Sequence, residues 1–194
     1  MITDPDVQIL AEISRALQAN YVSEDADWQH SPFGCIRRRP SRQRGAIGEG
    51  LVAGWLAARG FNVTRACGTG AYRVVEDKPT ETELCTLWAS GGYRFQQIRD
   101  QDYDLVICPG VSPFTAHRWV IPKAELMRLW KVEHEIRGQH RGSAGTDTAW
   151  IEIKVSAPPD WIEPFGGSLA QGVAALSRLT GFEPPPLREC PEGR

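Results

Sequence analysis

The sequence lacks a long apolar run, a paired-cysteine motif and an excess of basic residues, and each absence excludes a class of protein. No apolar stretch approaches the about 20 residues that a membrane-spanning helix needs, and the opening MITDPDVQIL is acidic where a secretory signal is basic. We therefore expect a cytoplasmic protein with no membrane partner. The five cysteines are odd in number, widely spread and never spaced as CxxC, which argues against a disulfide framework or a zinc site.

The charge balance and the length set the scale of the molecule. A formal net charge of -2 gives no whole-molecule attraction to nucleic acid, so any basic surface must be local. A chain of 194 residues is long enough for one domain with a proper core. We predict a single domain over 1–194, with an N-terminal helix and basic arm at 1–44, a core at 45–123 and a C-terminal extension at 124–194.

Hydrophobic periodicity and turn residues predict a mixed α/β chain. Helices are expected at 5–19, 45–59, 93–101, 123–133 and 168–179. Strands are expected at 61–66, 71–77, 80–87, 104–108, 118–122 and 149–155. The helix at 45–59 carries a continuous apolar stripe, made of Ile47, Leu51, Val52, Trp55, Leu56 and Ala58. Glu49 falls at the edge of this stripe, which places its carboxylate at the rim of the core.

The predicted strand at 80–87 carries the first candidate site. Because side chains alternate along a strand, Glu81, Glu83 and Cys85 share one face. Together with Glu49, these glutamates supply the oxygen ligands that a hard cation such as Mg²⁺ binds. Acids from neighbouring elements can hold such a cation against a scissile phosphate and activate a bound water. Glutamates on an exposed strand face are common, so the residues alone favour the plainer interpretation of a solvated face.

A second set of residues fits the same chemistry. Asp104 opens a strand that is expected to be buried, and Glu152-Ile153-Lys154 places a glutamate and a lysine on one face of another strand. A pattern of this kind often arises by chance, since alternation in a half-exposed strand already predicts charged residues two apart. Asp104, Glu152 and Lys154 form the alternative catalytic set.

Local positive charge is concentrated in RRRPSRQR, at 37–44. The segment is either a solvated loop or an arm that contacts phosphates, and its arginines are Arg37, Arg38, Arg39, Arg42 and Arg44. The polar loop GQHRGSAGTDT adds His140 and Arg141, which could reach phosphates or bases, although an ordinary polar loop explains it as well. The seven tryptophans are expected to pack in the core or at its rim, and not to form a stacking track for single strands.

The stretches CTLW, YRFQQIRDQDYDLVICPGVSPFTAHRWVIPK, QHRGSAGTDTAW and PPDWIEPFGGSLAQGVAAL resemble bacterial restriction-endonuclease-like proteins of the PD-(D/E)xK nuclease superfamily. The resemblance covers roughly 45–176. It implies an αβββαβ core with a central mixed sheet flanked by helices, and extra helices at both termini. It also implies Mg²⁺ or Mn²⁺ as cofactor, double-stranded DNA as substrate and a role in bacterial defence. Cleavage of a palindrome would call for a homodimer.

The resemblance also assigns positions to the site. It puts Glu81 on the acidic position and Glu83 on the lysine position of a Glu-x-Lys motif, and Glu49 on the glutamate of the first helix. Gln96 and Gln97, on the helix that follows, would support the site or contact the DNA backbone. The aspartate of the second strand falls at Tyr72. Glu76 and Asp77 could replace it only by a shift of the strand, and a shift of one residue turns a side chain to the other face.

Two hypotheses follow from these assignments. The first is a metal-dependent DNA endonuclease of the restriction type, hydrolysing phosphodiester bonds at an atypical Glu-x-Glu site formed by Glu81 and Glu83 with Glu49. The second is a DNA-binding or assembly protein that keeps the nuclease core with weakened or abolished cleavage, because Tyr72 and Glu83 replace an aspartate and a lysine. In those relatives Glu152 and Lys154 fall in a peripheral strand, which demotes them.

Overall fold

Two β-sheets packed face to face form the centre of the protein. The computed structural model describes residues 5–19, 27–66, 73–138 and 148–186. The helices are α1 (Pro5–Ala19), α2 (Gly34–Arg37), α3 (Ser41–Ala58), α4 (Lys123–Met127) and α5 (Leu169–Thr180). The strands are β1 (Val63–Arg65), β2 (Arg73–Val75), β3 (Lys78–Thr82), β4 (Cys85–Thr86), β5 (Gly92–Arg99), β6 (Leu105–Val111), β7 (Ala116–Pro122), β8 (Arg137–Gly138), β9 (Thr148–Lys154) and β10 (Gly166–Ser168). A π-helical turn, Arg128–Val132, follows α4, and a 3₁₀ helix, Asp160–Phe165, precedes β10.

The first sheet is mixed and runs in the order β1-β2-β3-β6-β7-β10, with β4 paired to the far end of β6. Strands β3 and β4 run parallel to β6, and the other neighbouring pairs are antiparallel. A two-residue turn joins β2 to β3, with φ angles of 47° at Glu76 and 63° at Asp77. Positive φ at both central residues matches the twist of a hairpin. Strand β6 is buried along its whole length, as expected at the centre of a sheet covered on both faces.

The segment 93–101 is a strand, and the helix predicted there is wrong. It lies in β5, which pairs antiparallel with β9, and β9 pairs with β8, in a separate three-stranded sheet. A β-bulge lies between Phe95 and Ile98, and Gln97 within it has a φ of 64°. Because of the bulge, the buried residues Tyr93, Phe95 and Ile98 are spaced by two and then by three, which resembles a helical stripe. The predicted αβββαβ order is therefore not confirmed, since the segment expected to be its second helix is a strand.

The first sheet separates two hydrophobic cores. One core lies between the two sheets and includes Tyr93, Phe95, Val106, Cys108, Trp119 and Ile151. The other lies between the first sheet and helices α3 and α5, and includes Val52, Leu56, Ile107, Val120 and Leu176. Consecutive residues of β6 alternate between them, since Val106 faces the second sheet and Ile107 faces the helices. This alternation fixes the face that any residue paired with β6 presents.

Helices α1 and α5 lie where the sequence predicts them. Helix α1 spans 5–19, and its Ile9 and Leu10 are 55% and 64% exposed. Helix α5 begins with a capping box, in which Ser168 Oγ accepts a hydrogen bond from the Gln171 N–H and the Gln171 side chain accepts one from the Ser168 N–H. None of the described helices is both long enough and apolar enough to cross a membrane.

Helix α3 is longer than predicted and buries a narrower stripe. It begins at Ser41 and not at 45, so it takes in the second half of the arginine-rich segment. Its buried residues are Gly48, Val52 and Leu56. Leu51, part of the predicted stripe, is 39% exposed. The side of the helix that carries Gly48, which has no side chain, is therefore the side that packs on the sheet.

Candidate functional site

Glu81 and Glu83 lie at the end of β3, on the face of the first sheet that looks toward the second sheet. Glu81 lies beside Val106 in the parallel pairing of β3 with β6. Paired residues point to the same side, and Val106 belongs to the core between the sheets. Cys85 belongs to the same core. The predicted alternation, with Glu81, Glu83 and Cys85 on one face, therefore agrees with the structure.

Both carboxyl groups are unusually weak acids. Burial, with added repulsion from Glu49, raises the pKa of Glu81 from 4.5 to about 7. Burial, with added repulsion from Glu81, raises the pKa of Glu83 from 4.5 to about 8. The positive charge of Arg99 opposes both pKa shifts. Among the described residues, however, no basic group lies within 4.0 Å of either carboxylate, the distance of an ion pair. No described residue therefore forms an ion pair with either carboxylate, and Arg99 offsets only part of the rise in their pKa values.

Glu49 does not join the other two glutamates. Helix α3 packs on the opposite face of the sheet, where a Cβ on Gly48 would come within 2.5 Å of the Leu84 Cβ. Glu49 instead forms an ion pair with Arg73 of β2, with 3.9 Å between Oε2 and Nε. The predicted three-glutamate ligand set is not assembled. In the described part of the chain, no group of three or more His, Cys, Asp or Glu side chains is placed to hold a metal ion.

The remaining pair suits one kind of cation. Mg²⁺ often uses only one or two carboxylates, keeps several waters and takes further ligands from substrate phosphates. Glu81 and Glu83 supply two carboxylates from one strand face, on which successive residues lie roughly 7 Å apart. The donor chemistry therefore fits a hard divalent cation whose coordination is completed by water and substrate.

The resemblance expects an aspartate on the second strand, and no candidate position for it lies beside Glu81 and Glu83 in the described residues. Tyr72 lies outside the described residues. Asp77 is exposed in the β2–β3 turn and precedes Glu81 by four residues of an extended strand, a separation of roughly 13 Å. Asp77 is therefore at the opposite end of β3 from the carboxylate pair.

The alternative set of Asp104, Glu152 and Lys154 is divided between the two sheets. Asp104 immediately precedes β6, whereas Glu152 and Lys154 are exposed on β9. Glu152 lies opposite Arg94, and the adjacent Tyr93 packs against Gly110 near the far end of β6. From residue 104 to residue 110 an extended chain covers roughly 20 Å. The structure does not bring these three side chains together.

The basic segment borders a groove through Arg37 and Arg44, whereas Arg38, Arg39 and Arg42 are exposed. Arg37 ends α2, Arg38 and Arg39 lie in the turn that follows, and Arg42 and Arg44 belong to α3. The Arg37 Nη1 donates a hydrogen bond to the Leu87 carbonyl at 3.1 Å, and its guanidinium lies 5.3 Å from the centroid of the Trp28 ring. We call the adjacent cavity, of about 440 Å³, the arginine groove. Its described lining contains no acid and consists of Arg37, Arg44, Thr86, Leu87, Trp88 and Ala89.

The arginine groove follows the carboxylate pair along the chain, with Cys85 between them. This residue follows Glu83 on the same strand face, and its Sγ accepts a hydrogen bond from the Arg94 N–H at 3.2 Å. Burial raises the pKa of the Cys85 thiol, so it remains a packed thiol and not a nucleophile. The next residue, Thr86, already lines the groove. Because side chains alternate, Thr86 lies on the opposite face of the sheet from Cys85, so the groove and the carboxylates are neighbours along the chain but on different faces.

A stack of tryptophans and arginines borders the groove, and the sequence gives no direct sign of it. The Arg94 guanidinium lies between two rings, 4.6 Å from the centroid of Trp88 and 4.4 Å from that of Trp150. Arg137 lies over Trp150 at 5.9 Å. The members come from distant segments, which only the pairing of β5, β9 and β8 brings together. Alternation along β5, with Arg94 between buried Tyr93 and Phe95, was the available signal.

The other predicted DNA-contacting residues have different outcomes. Gln96 and Gln97 lie at the bulge of β5, so their expected position on a helix is wrong. Gln97 is exposed and Gln96 is half-buried. His140 and Arg141 lie outside the described residues.

Comparison with known proteins finds a distant structural likeness. No model of a protein family matches the sequence, and no curated protein matches it. The chain is similar in structure to a bacterial homing endonuclease, I-Ssp6803I, with a TM-score of 0.41 and 15% sequence identity. The match covers 72% of this chain and 99% of the endonuclease. A likeness this distant carries no argument about function, which has to come from the site itself.

Proposed function

We propose that this protein is a nuclease that hydrolyses phosphodiester bonds of DNA with Mg²⁺ or Mn²⁺. The observation that carries the proposal is the pair Glu81 and Glu83, two half-buried carboxyl groups on one strand face, with raised pKa values and no described cation at ion-pair distance. Charge in such surroundings is costly unless an opposite charge binds to it. The sequence resemblance to PD-(D/E)xK nucleases supports the same assignment.

Glu81 and Glu83 would hold the cation, which when bound polarises a phosphoryl oxygen and lowers the pKa of a water ligand. The shielded strand face strengthens the electrostatic action of both carboxylates, because charges interact more strongly where water is partly excluded. Arg37 and Arg44 would bind phosphates of the same strand in the arginine groove. The exposed Arg38, Arg39 and Arg42 would add long-range attraction for the polyanion.

The raised pKa values give the proposed site a pH dependence. A carboxyl group binds a cation in its ionised form, and Glu81 and Glu83 have pKa values of about 7 and about 8. Protons therefore compete with the metal at neutral pH. At limiting metal concentration, cleavage is expected to increase from pH 6 to pH 8.5, and excess metal is expected to flatten this profile.

Glu49 takes a different part in this proposal from the two strand glutamates. Its ion pair with Arg73 would have to break before Glu49 could act as a third ligand. From its present position it acts on the site through charge, because its repulsion contributes to the raised pKa of Glu81. We propose Glu49 as an electrostatic neighbour of the site.

The proposal is tested by incubating plasmid DNA with the protein and Mg²⁺ or Mn²⁺. We expect cleavage that Glu81→Gln and Glu83→Gln each reduce roughly a hundredfold or more, since loss of a metal ligand removes several kcal/mol of transition-state stabilisation. Glu163→Gln, which changes an exposed glutamate of the 3₁₀ helix, is the matched control and should cut like the unaltered protein. Unchanged cleavage by Glu81→Gln would contradict the assignment.

A second candidate function is a DNA-binding or assembly protein that does not cut. Glu83 in place of a lysine favours it, as does the lack of a three-ligand group among the described residues. In that case plasmid stays intact with either metal, while DNA is retained on a gel in a salt-dependent manner. No retention at low salt would count against both candidate functions.

A further inference from the structure

The ring of Trp88 is held in place at the edge of the arginine groove and still meets solvent. The backbone N–H of Trp88 donates to the Gly92 carbonyl, and the backbone N–H of Gly91 donates to the Trp88 carbonyl, each at 2.9 Å. The Arg94 guanidinium covers part of the ring. Even so, Trp88 is 43% exposed. An aromatic ring that is already fixed loses little freedom when a ligand stacks on it.

Arg94 is a positioning residue and not a free cation. Its Nη2 lies 3.2 Å from the Glu152 Oε2, and its guanidinium is enclosed by Trp88 and Trp150. Its charge is therefore already matched by an acid and by two aromatic faces. The effect of this arrangement is to fix the orientation of Trp88 toward the groove.

The charge of the groove selects its partner. Arg37 and Arg44 line it together with Trp88, and no acid lines it among the described residues. A positively charged groove with an exposed aromatic ring at its edge combines the two features by which proteins hold unpaired nucleotides, namely phosphate contacts and base stacking. A paired base in a duplex hides both of its faces, so only an unpaired base can use the Trp88 ring.

We propose that the arginine groove binds unpaired nucleotides, with a base stacked on Trp88 and adjoining phosphates on Arg37 and Arg44. The proposed nuclease would then act on single-stranded or locally opened nucleic acid, and not on an intact duplex as the sequence resemblance implies. The preference for cutting unpaired strands rests on the proposed nuclease function. Binding of unpaired nucleotides needs no metal and is tested independently of cleavage.

Binding is measured by fluorescence anisotropy in EDTA, with a short labelled DNA strand, the RNA strand of the same sequence, and the DNA duplex. We expect either or both single strands to bind more tightly than the duplex. Trp88→Ala should weaken single-strand binding roughly tenfold or more, because one stacked base is lost. Trp88→Phe keeps an aromatic face and should retain most of the affinity, provided that both variants unfold at temperatures close to that of the unaltered protein.

The arginines are tested by the salt dependence of the same measurement. Arg44→Gln should reduce the slope of log affinity against log salt by about 0.7, the value for one phosphate contact on a single strand. Arg65→Gln removes an exposed arginine from β1, outside the groove, and is the matched control that should leave the slope unchanged.

Four results would overturn the inference. They are a duplex that binds as tightly as the single strands, a Trp88→Ala variant that binds like the unaltered protein, poly-glutamate that competes as well as nucleic acid, and the absence of any binding at low salt. Binding to single strands without any cleavage in Mn²⁺ would leave the inference standing and reject the nuclease. Metal-dependent cleavage by a protein that binds duplex as tightly as single strands would support the nuclease and reject the inference.

Discussion

The two faces of the first sheet both carry ionisable groups that form no ion pair with a described residue, but the sign of the charge and the access differ. On the face covered by helices, no described group accepts a hydrogen bond from the Arg118 guanidinium, which lies 4.1 Å from the centroid of the Trp55 ring. On the face toward the second sheet, Glu81 and Glu83 form no ion pair with a described residue. Arg118 is 1% exposed, whereas both glutamates reach solvent. Unpaired charge within reach of a ligand can bind one, whereas unpaired charge out of reach only reduces stability.

The buried arginine is accommodated at a visible cost. Burial, with added repulsion from Arg59, lowers the pKa of Arg118 to about 9. Helix α5 makes room for it with a glycine, since a Cβ on Gly172 would lie 2.7 Å from the Arg118 Nε. The Trp55 ring supplies the remaining compensation, an attraction between cation and aromatic face. Arg118 therefore belongs to the packing of the helices and not to a binding site.

The largest expected effect that separates the two faces is stabilisation by metal. At about a hundred times its dissociation constant, a ligand adds about 2.7 kcal/mol to the free energy of unfolding. For a chain of this length, that is roughly 5–10 °C in the unfolding temperature. We expect Mn²⁺ to give such a shift at pH 8.5 and a smaller one at pH 6, where protons compete at Glu81 and Glu83. A scanning-fluorimetry series with and without Mn²⁺ measures it.

The double variant Glu81→Gln with Glu83→Gln is the control for this shift, because it removes both ligands and keeps their size. Its unfolding temperature should not respond to Mn²⁺. An equal shift in the double variant would place the metal elsewhere in the molecule, and Asp104 and Glu152 would then be the next residues to change.

The second effect is a loss of stability with rising pH. The folded protein binds the protons of Glu81 and Glu83 more tightly than an unfolded chain, in which their pKa would be near 4.5. The unfolded state therefore holds fewer of these protons between about pH 4.5 and pH 8, and the contribution of the pair to stability falls as pH rises through that window. In the absence of metal, urea unfolding at pH 5.5 and pH 8 should show this fall.

Glu83→Gln should remove the share of this pH dependence that Glu83 contributes, because its neutral amide does not ionise. Glu81 should keep its own share, since burial and Glu49 raise its pKa. Glu163→Gln should keep the whole pH dependence. A fall of the same size in Glu83→Gln would mean that other groups cause it and that Glu83 does not contribute.

The third effect concerns the helix-covered face. Arg118→Met replaces an unpaired buried charge with an apolar side chain, and such exchanges are often neutral or stabilising. We expect a gain of about 1–2 kcal/mol in the free energy of unfolding, read from urea denaturation. The matched exchange Arg94→Met should instead cost up to about 1 kcal/mol, because Arg94 is paired with Glu152 at the surface. A large loss of stability in Arg118→Met would show that its charge has a partner.

The smallest effect is expected at Glu49. Glu49→Gln removes the repulsion that contributes to the raised pKa of Glu81, so the pH profile of cleavage at limiting metal should move to lower pH. The rate at pH 8.5 should change less than tenfold, in contrast to the roughly hundredfold loss in Glu81→Gln. If Glu49→Gln is as inactive as Glu81→Gln, then Glu49 is a ligand of the metal, and residues from both faces of the sheet form the site.

The sequence predicts the elements more reliably than their arrangement. Alternation along the strand places Glu81, Glu83 and Cys85 on one face, and the structure agrees, because this rule is local. It does not say which face helix α3 covers, and that choice separates Glu49 from the other two glutamates. Helix α3 packs on the sheet through Gly48, which has no side chain and approaches Leu84 closely. These two residues are 36 positions apart in the sequence, so local rules do not predict the contact.

The errors at β5 and at the tryptophan stack have the same origin. One extra residue at the bulge between Phe95 and Ile98 changes the spacing of the buried side chains, so a strand shows a helix-like pattern. Once β5 is taken for a helix, Arg94 has no neighbour on β9, and the meeting of Trp88 with Trp150 cannot be foreseen. Long-range pairing of this kind leaves little trace in a single sequence.

The most direct test of the central claim is a crystal of the protein soaked in Mn²⁺, with anomalous diffraction used to locate the metal. The proposal predicts a manganese peak in contact with the carboxylates of Glu81 and Glu83. A peak at Asp104 or Glu152, or an empty site between Glu81 and Glu83 at a concentration that supports cleavage, would contradict it.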